Sequence, residues 1–312
     1  MAKEVMTVLG PAAPQDLGIT DAHSHIWIFP QNSEIENKSV LDQVDSILKE
    51  LGEFKIAGGG TQVDCQPGGA GRDGNRLFEL SSKSGVKIIA STGFHLEKYY
   101  PENAGLWQMN SEQAADYFLN EIKNGLEETR DMANPVLPGL IKIAVCESLK
   151  KSPLVLLEAA AEASLKSGLL IEMHTEKGAG AEEFSAYFQK RGLDLERLVI
   201  CHLDKRPDIG LHQELAQAGC LLEYDTFFRP KYNPEKNLWP LLNEMVDRGF
   251  VESLACATDL AESNLWQTFG GGPGLAGFIN IIKTRLEQEL QNNEAETALM
   301  GANIANRLAV HY

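Results

Sequence analysis

Short apolar runs flanked by Gly, Asp or His alternate along this chain with longer amphipathic segments, and that alternation admits few folds. A parallel strand covered on both faces reads as a continuous apolar run, and it needs a crossover helix before the next strand. Eight such runs lie near Gly18–His25, Phe54–Cys65, Val86–Gly93, Gly139–Val145, Leu169–His174, Leu198–His202, Cys220–Tyr224 and Ser253–Asp259. Between them, Glu158–Ser167 and Asn280–Asn292 carry strong helix formers with apolar residues at helical spacing. No linker or repeat interrupts the series, and 312 residues suit one barrel of about 250 residues with extended loops. The competing architecture is a doubly wound open sheet. Residues of metal-ligand type fall at the carboxyl ends of five of these strands, or within the strand for Lys142. A closed barrel gathers such ends on one rim, whereas an open sheet spreads them along a line. The sequence therefore predicts a single-domain (β/α)8 TIM barrel over residues 1–312.

Charge and cysteine content narrow the partners. Lys and Arg number 28 against 44 Asp and Glu, a net charge of −16, which repels nucleic acid and anionic membrane surfaces. No apolar run is long enough to span a bilayer and the first residues lack a leader pattern, so the expectation is a cytoplasmic protein. The five cysteines show no CxxC spacing, and most sit in apolar runs as small buried hydrophobes, so none is assigned to catalysis. The expected partner is a small-molecule substrate, and a homodimer is compatible with the sequence.

His23 and His25 are two apart on a strand, so both side chains leave one face and can grip one ion. Alone, such a pair is equally served by two hydrogen-bonded histidines. It is joined by His174 in IEMHTEKG, His202 in VICHLDKRPD and Asp259 in ACATDLAES, each at a strand end. Imidazole and carboxylate suit zinc, and also manganese, cobalt or iron. Two ions would need a bridging anion, and Lys142 in GLIKIAVCES is the candidate. An unpaired ammonium among Leu140, Ile141, Ile143 and Ala144 costs several kcal/mol or loses its proton. The neutral amine can react with carbon dioxide, and the carbamate offers one oxygen to each ion.

The ordered set HxH, Lys, His, His, Asp resembles the phosphotriesterase family of the amidohydrolase superfamily. Gly58–His95 is similar to that family's second and third βα units, and GANIANRLAV resembles its closing helix. The resemblance implies His23, His25 and Asp259 on the more buried ion, His174 and His202 on the more exposed one, and carboxylated Lys142 between them. It also implies hydrolysis by a metal-bridging hydroxide, with Asp259 taking the proton and no organic cofactor. In place of the Asp-His pair that some phosphotriesterases carry after the seventh strand, this chain has Asp225-Thr226, which leaves Asp204 or bulk water to remove the proton.

The loops must choose the substrate. His95, Lys98, Tyr99 and Tyr100 follow the third strand, and Arg229, Lys231 and Tyr232 follow the seventh. Gly270–Gly274 holds consecutive glycines whose N–H groups can turn toward an anion, Gly271 and Gly272 foremost. Such a rim suits a phosphate. The segments EYDTFFRPKY, CHLDKRPD and GGGPGL are also similar to the family's sugar-phosphate lactonase branch. The expected activity is a lactonase opening a small, phosphorylated sugar lactone, with phosphotriester, carboxylester or N-acyl amide hydrolysis as alternatives at the same site. A binding protein that kept the fold and lost turnover is disfavoured because all six ligand positions are filled.

Overall fold

The computed structural model describes residues 2–32, 34 and 39–311. A short antiparallel hairpin, β1 (Val5–Thr7) and β2 (Gly10–Ala12), precedes the repeating units. The units then run β3 (Ile19–Ser24), α1 (Val44–Ile56), β4 (Gly59–Asp64), α2 (Gly74–Ser84), β5 (Lys87–Gly93) and α3 (Ser111–Asn124). They continue with β6 (Leu140–Ala144), α4 (Leu154–Ser167), β7 (Ile171–His174), α5 (Ala181–Lys190), β8 (Leu198–Ile200) and α6 (Ile209–Gln217). Last come β9 (Leu221–Tyr224), α7 (Leu238–Asp247), β10 (Leu254–Cys256) and the helices α8 (Thr284–Leu290), α9 (Asn293–Thr297) and α10 (Asn303–Leu308).

Strands β3 to β10 pair in sequence order, every ladder parallel. The seam between β10 and β3 is joined by other means. Asp259 donates its backbone N–H to His23 O at 2.9 Å, and the Asp21 carboxylate accepts from Thr258 N at 3.0 Å and Thr258 Oγ1 at 2.6 Å. The barrel is thus the expected one, and the residues that close it adjoin the predicted ligands.

All eight predicted strands are present, several shorter by one to three residues at an end and the second by five at its start. The second begins at Gly59, because α1 runs on through Ile56 and Gly58 makes the turn at φ +107°. Phe54 belongs to the buried face of α1, where an apolar residue reads the same in helix or strand. The predicted helix at Asn280–Asn292 starts earlier, with a wider helical turn over Phe278–Lys283 leading into α8.

Inside the barrel the period of two is legible. Val63, Ile89, Leu140, Leu170, Val199, Leu221 and Ala255 form an apolar layer that meets Ile304 and Leu308 of the closing helix. Two residues further up stand Cys65, Lys142, Glu172, Cys201 and Glu223, all fully buried. Asn303 plugs the amino-terminal end by donating to Val251 O and Leu254 O, both at 2.8 Å. Asn303→Ala removes both bonds, and although Val251 O keeps the Leu254 N–H, the loss at buried Leu254 O is expected to cost about 1–3 kcal/mol. A denaturant midpoint lowered at unchanged slope is the measurement that checks this.

Candidate active site

His23, at the end of β3, and His25 just after it lie on the carboxyl rim with Asp259, whose Oδ1 is 3.8 Å from His23 Nε2 and 3.6 Å from His25 Nε2. His174 ends β7, and His202 follows β8. Both His202 and Asp259 occupy left-handed backbone, at φ +63° and +47°. Such conformations cost energy outside glycine and persist where surrounding structure enforces them, commonly at functional sites.

Three of the imidazoles are anchored through the same nitrogen. His23 Nδ1 meets Glu223 Oε1 at 2.7 Å, His25 Nδ1 meets Gln66 Oε1 at 2.8 Å, and His202 Nδ1 meets Asp225 Oδ2 at 2.7 Å. Each acceptor places the ring proton on Nδ1 and leaves an Nε2 lone pair facing the rim, the arrangement that orients metal-binding histidines. His174 is conflicted. Its Nε2 lies 3.2 Å from Glu176 Oε1 and its Nδ1 lies 2.8 Å from His202 Nε2. Burial lowers its pKa to about 4, so the ring is neutral and has one proton for two acceptors. Serving Glu176 leaves two lone pairs face to face, which a cation between the rings resolves. The ligand atoms of His23, His25 and Asp259 lie within 4.8 Å of one another, as do those of His23, His202 and Asp225. The donor set therefore fits divalent metal.

Lys142 is fully buried, as expected, but it is not alone. Its Nζ donates to Glu172 Oε1 at 3.0 Å, stands 3.5 Å from Cys201 Sγ and lies 3.4 Å from His23 Nε2. Burial alone would lower its pKa, yet the surrounding Cys201, Cys65, Glu172 and Glu223 outweigh that and hold it well above the usual lysine value. The expectation of an unpaired amine is corrected accordingly. Glu172, Glu223, Gln66 and Glu176 were not singled out from sequence. For Glu172 and Glu223 the signal was available: each lies two residues before a rim residue, His174 and Asp225, and so faces the barrel interior.

Above this floor opens a cavity of about 310 Å³, lined by His25, His174, His202 and Asp259 together with Tyr99, Lys205, Arg229, Lys231 and Tyr232. Lys205 Nζ and Lys231 Nζ each lie 5.2 Å from the Tyr232 ring centre, and neither makes an ion pair among the described residues. Arg229 is already engaged. Its guanidinium contacts Asp259 Oδ2 at 3.1 Å, the Asp259 carbonyl oxygen, and Glu262 Oε1 at 3.1 Å. Although burial raises the Asp259 pKa, Arg229 and the neighbouring imidazoles outweigh it and keep the carboxyl well below its ordinary value.

Two expectations fail here. Gly271 N–H donates to Trp266 O, Gly272 N–H to Asn264 O and Gly274 N–H to Leu265 O, so the glycine loop is a closed turn with no amides left for an anion. None of these glycines lines the cavity. Asp204 accepts from Asp225 N, Thr226 N and Thr226 Oγ1, and it is buried behind the rim, which fits a bracing role and not proton removal.

The sequence profile of the Phosphotriesterase family matches residues 3–300. The chain belongs to the phosphotriesterase family. Within it, the chain is 30% identical over 284 residues to a phospho-furanose lactonase of Mycoplasmopsis synoviae, spanning 86% of this chain and 79% of that one. It is 29% identical over 342 residues to the N-acetyltaurine hydrolase of Mus musculus, spanning 96% and 95%. Among solved structures of the fold, a lactonase from Listeria monocytogenes superposes with a TM-score of 0.91 at 24% identity, covering 99% of this chain and 100% of that one. The phosphotriesterase homology protein of Escherichia coli, complexed with phosphate in its active site, superposes with a TM-score of 0.84 at 22% identity, covering 93% and 98%. Family and barrel thus agree with the resemblance drawn from the HxH, Lys, His, His, Asp series. Among the described residues, no helix is long and apolar enough to cross a membrane.

Proposed function

We propose that this chain is a metal-dependent hydrolase that opens a small lactone bearing an anionic group, a phosphorylated sugar lactone foremost. The observation that carries the reading is the rim itself: imidazoles anchored at Nδ1, with their free nitrogens converging beside Asp259, under a wall that presents Lys205 and Lys231. His23, His25 and Asp259 would hold one divalent ion and His174 and His202 a second, with Lys142 between them. Beside bound cations the Lys142 ammonium would lose its proton, which allows the carboxylation that the resemblance implies, and zinc suits this donor set. Such ions, when bound, lower the pKa of water and polarise the carbonyl under attack.

The protein supplies the rest. Asp259 is kept ionised by Arg229 and faces the same point as His23 and His25, so its carboxylate is placed to accept the proton of the attacking water. Lys205 and Lys231 flank Tyr232 and would hold the substrate's anion, with Tyr99 on the β5 side of the cavity. Arg229 serves Asp259 and Glu262 and is not carried forward as the anion's partner.

The purified protein, supplied with zinc or manganese, is expected to open a phosphorylated aldonolactone with a kcat/KM at least about tenfold above the unphosphorylated parent. Lys205→Ala and Lys231→Ala are expected to raise KM for the phosphorylated substrate by about 10–100-fold, the loss of one charge-assisted bond of about 1.5–3 kcal/mol. Equal rates on the two lactones would remove the phosphate from the proposal. The N-acetyltaurine hydrolases support a second reading, because they match a larger share of this chain than the phospho-furanose lactonases do. Faster cleavage of an N-acyl aminosulfonate than of any lactone would select it.

A further inference from the structure

His95 lines the same cavity, 5.1 Å from the His174 ring centre, yet it is wired in the opposite sense to the rim histidines. The backbone N–H of Leu96 donates to His95 Nδ1 at 2.7 Å, so that nitrogen carries the lone pair and the proton of the neutral ring sits on Nε2. The side chain is held in place. The backbone N–H of His95 donates to Tyr100 Oη at 3.0 Å, fixing the main chain there, and the Tyr99 ring packs edge-on against the imidazole at 4.6 Å. His95 is 9% exposed, and its Nε2 has no partner among the described residues. An N–H cannot ligate a cation, so proximity to His174 does not make this ring a further metal ligand. It is a fixed neutral donor at the wall of the site. His95 follows β5 while Lys205 and Lys231 follow β8 and β9, three and four strands round the barrel. A substrate whose anion rests on the lysines and whose reacting bond lies beside His174 would bring an oxygen near that bond within reach of His95.

We propose that His95 is a catalytic residue whose Nε2–H donates to a substrate oxygen beside the bond that is cleaved; this rests on the hydrolase reading above. A rigid donor aimed where negative charge develops strengthens its bond as the reaction proceeds, and removal of one such donor costs about 10²–10³ in kcat. A glutamine amide can stand where Nε2–H stands, while an asparagine amide reaches only the position of Nδ1. His95→Leu and His95→Asn are accordingly expected to lower kcat about 10²-fold. His95→Gln is expected to retain about tenfold more activity than either, and all three should keep the metal content of the parent. Independently of turnover, nitrogen-15 spectra of the full chain, with the His95 ring identified by its loss in His95→Gln, should show the Nε2–H tautomer. His25 should show the Nδ1–H form. Calorimetric binding of the ring-opened phosphorylated aldonate should weaken about tenfold in His95→Leu. An Nδ1–H tautomer at His95, metal loss in the variants, or equal activity and binding across them would overturn the proposal. Absence of hydrolysis alongside the expected tautomer and weakened binding would count against the hydrolase reading and leave His95 as a ligand donor.

Discussion

Lys142→Ala is expected to abolish hydrolysis by the metal-loaded protein and to destabilise the metal-free fold by about 3–5 kcal/mol, the cost of stranding one partner of a buried ion pair. The stranded group is Glu172, whose Oε1 loses the ammonium at 3.0 Å while its Oε2 already lacks any partner. Glu223, fully buried nearby, loses the same cationic influence. A second substitution separates the structural loss from the chemical one. In Lys142→Met/Glu172→Gln the charge is removed with its partner, and most of the stability is expected to return. Activity is expected to stay lost, because methionine has no amine and cannot supply an anion between the two groups of imidazoles. Denaturant midpoints and turnover of the single and double variants are the measurements. Full stability in Lys142→Ala would mean that the Glu172 pair contributes nothing. Recovered turnover in the double variant would remove Lys142 from the metal centre.

That lysine also marks where sequence reasoning reached its limit. The strand GLIKIAV showed a buried cation and raised the right question, but the answer lay 30 residues on, inside IEMH. Strand periodicity shows that Glu172 faces inward; only the β6–β7 register, which sets Lys142 beside Glu172, shows what it faces. The eight strands and the rim histidines with Asp259 were legible because each is local: an apolar run, followed by a polar residue at its end. The anchors of the rings were not, since Gln66 reaches His25 and Glu223 reaches His23 across 41 and 200 positions. Gly270–Gly274 misled for a related reason. Composition shows that a backbone can turn its N–H groups outward, whereas the neighbouring carbonyls of Asn264, Leu265 and Trp266 decide that it does not.

Asp259→Asn is expected to lower kcat by about 10²–10⁴-fold while leaving the fold intact. Both halves of that expectation come from one position. Asp259 sits at φ +47°, a conformation that Asn tolerates as well as Asp, and its backbone N–H closes the barrel seam on His23 O in either case. The change is thus confined to the carboxylate, whose Oδ1 lies toward His23 and His25 and whose Oδ2 pairs with Arg229. An amide has no charge to hold a cation and no basic oxygen to accept a proton, so metal content at the His23–His25 side should fall together with kcat. Arg229 keeps Glu262 and the residue 259 carbonyl as partners, which limits the stability cost. Asp259→Ala makes the informative contrast, because alanine is strained in the left-handed region and should weaken the seam as well. Turnover in Asp259→Asn within about threefold of the parent, at full metal content, would show that neither proton transfer nor ligation depends on this carboxylate.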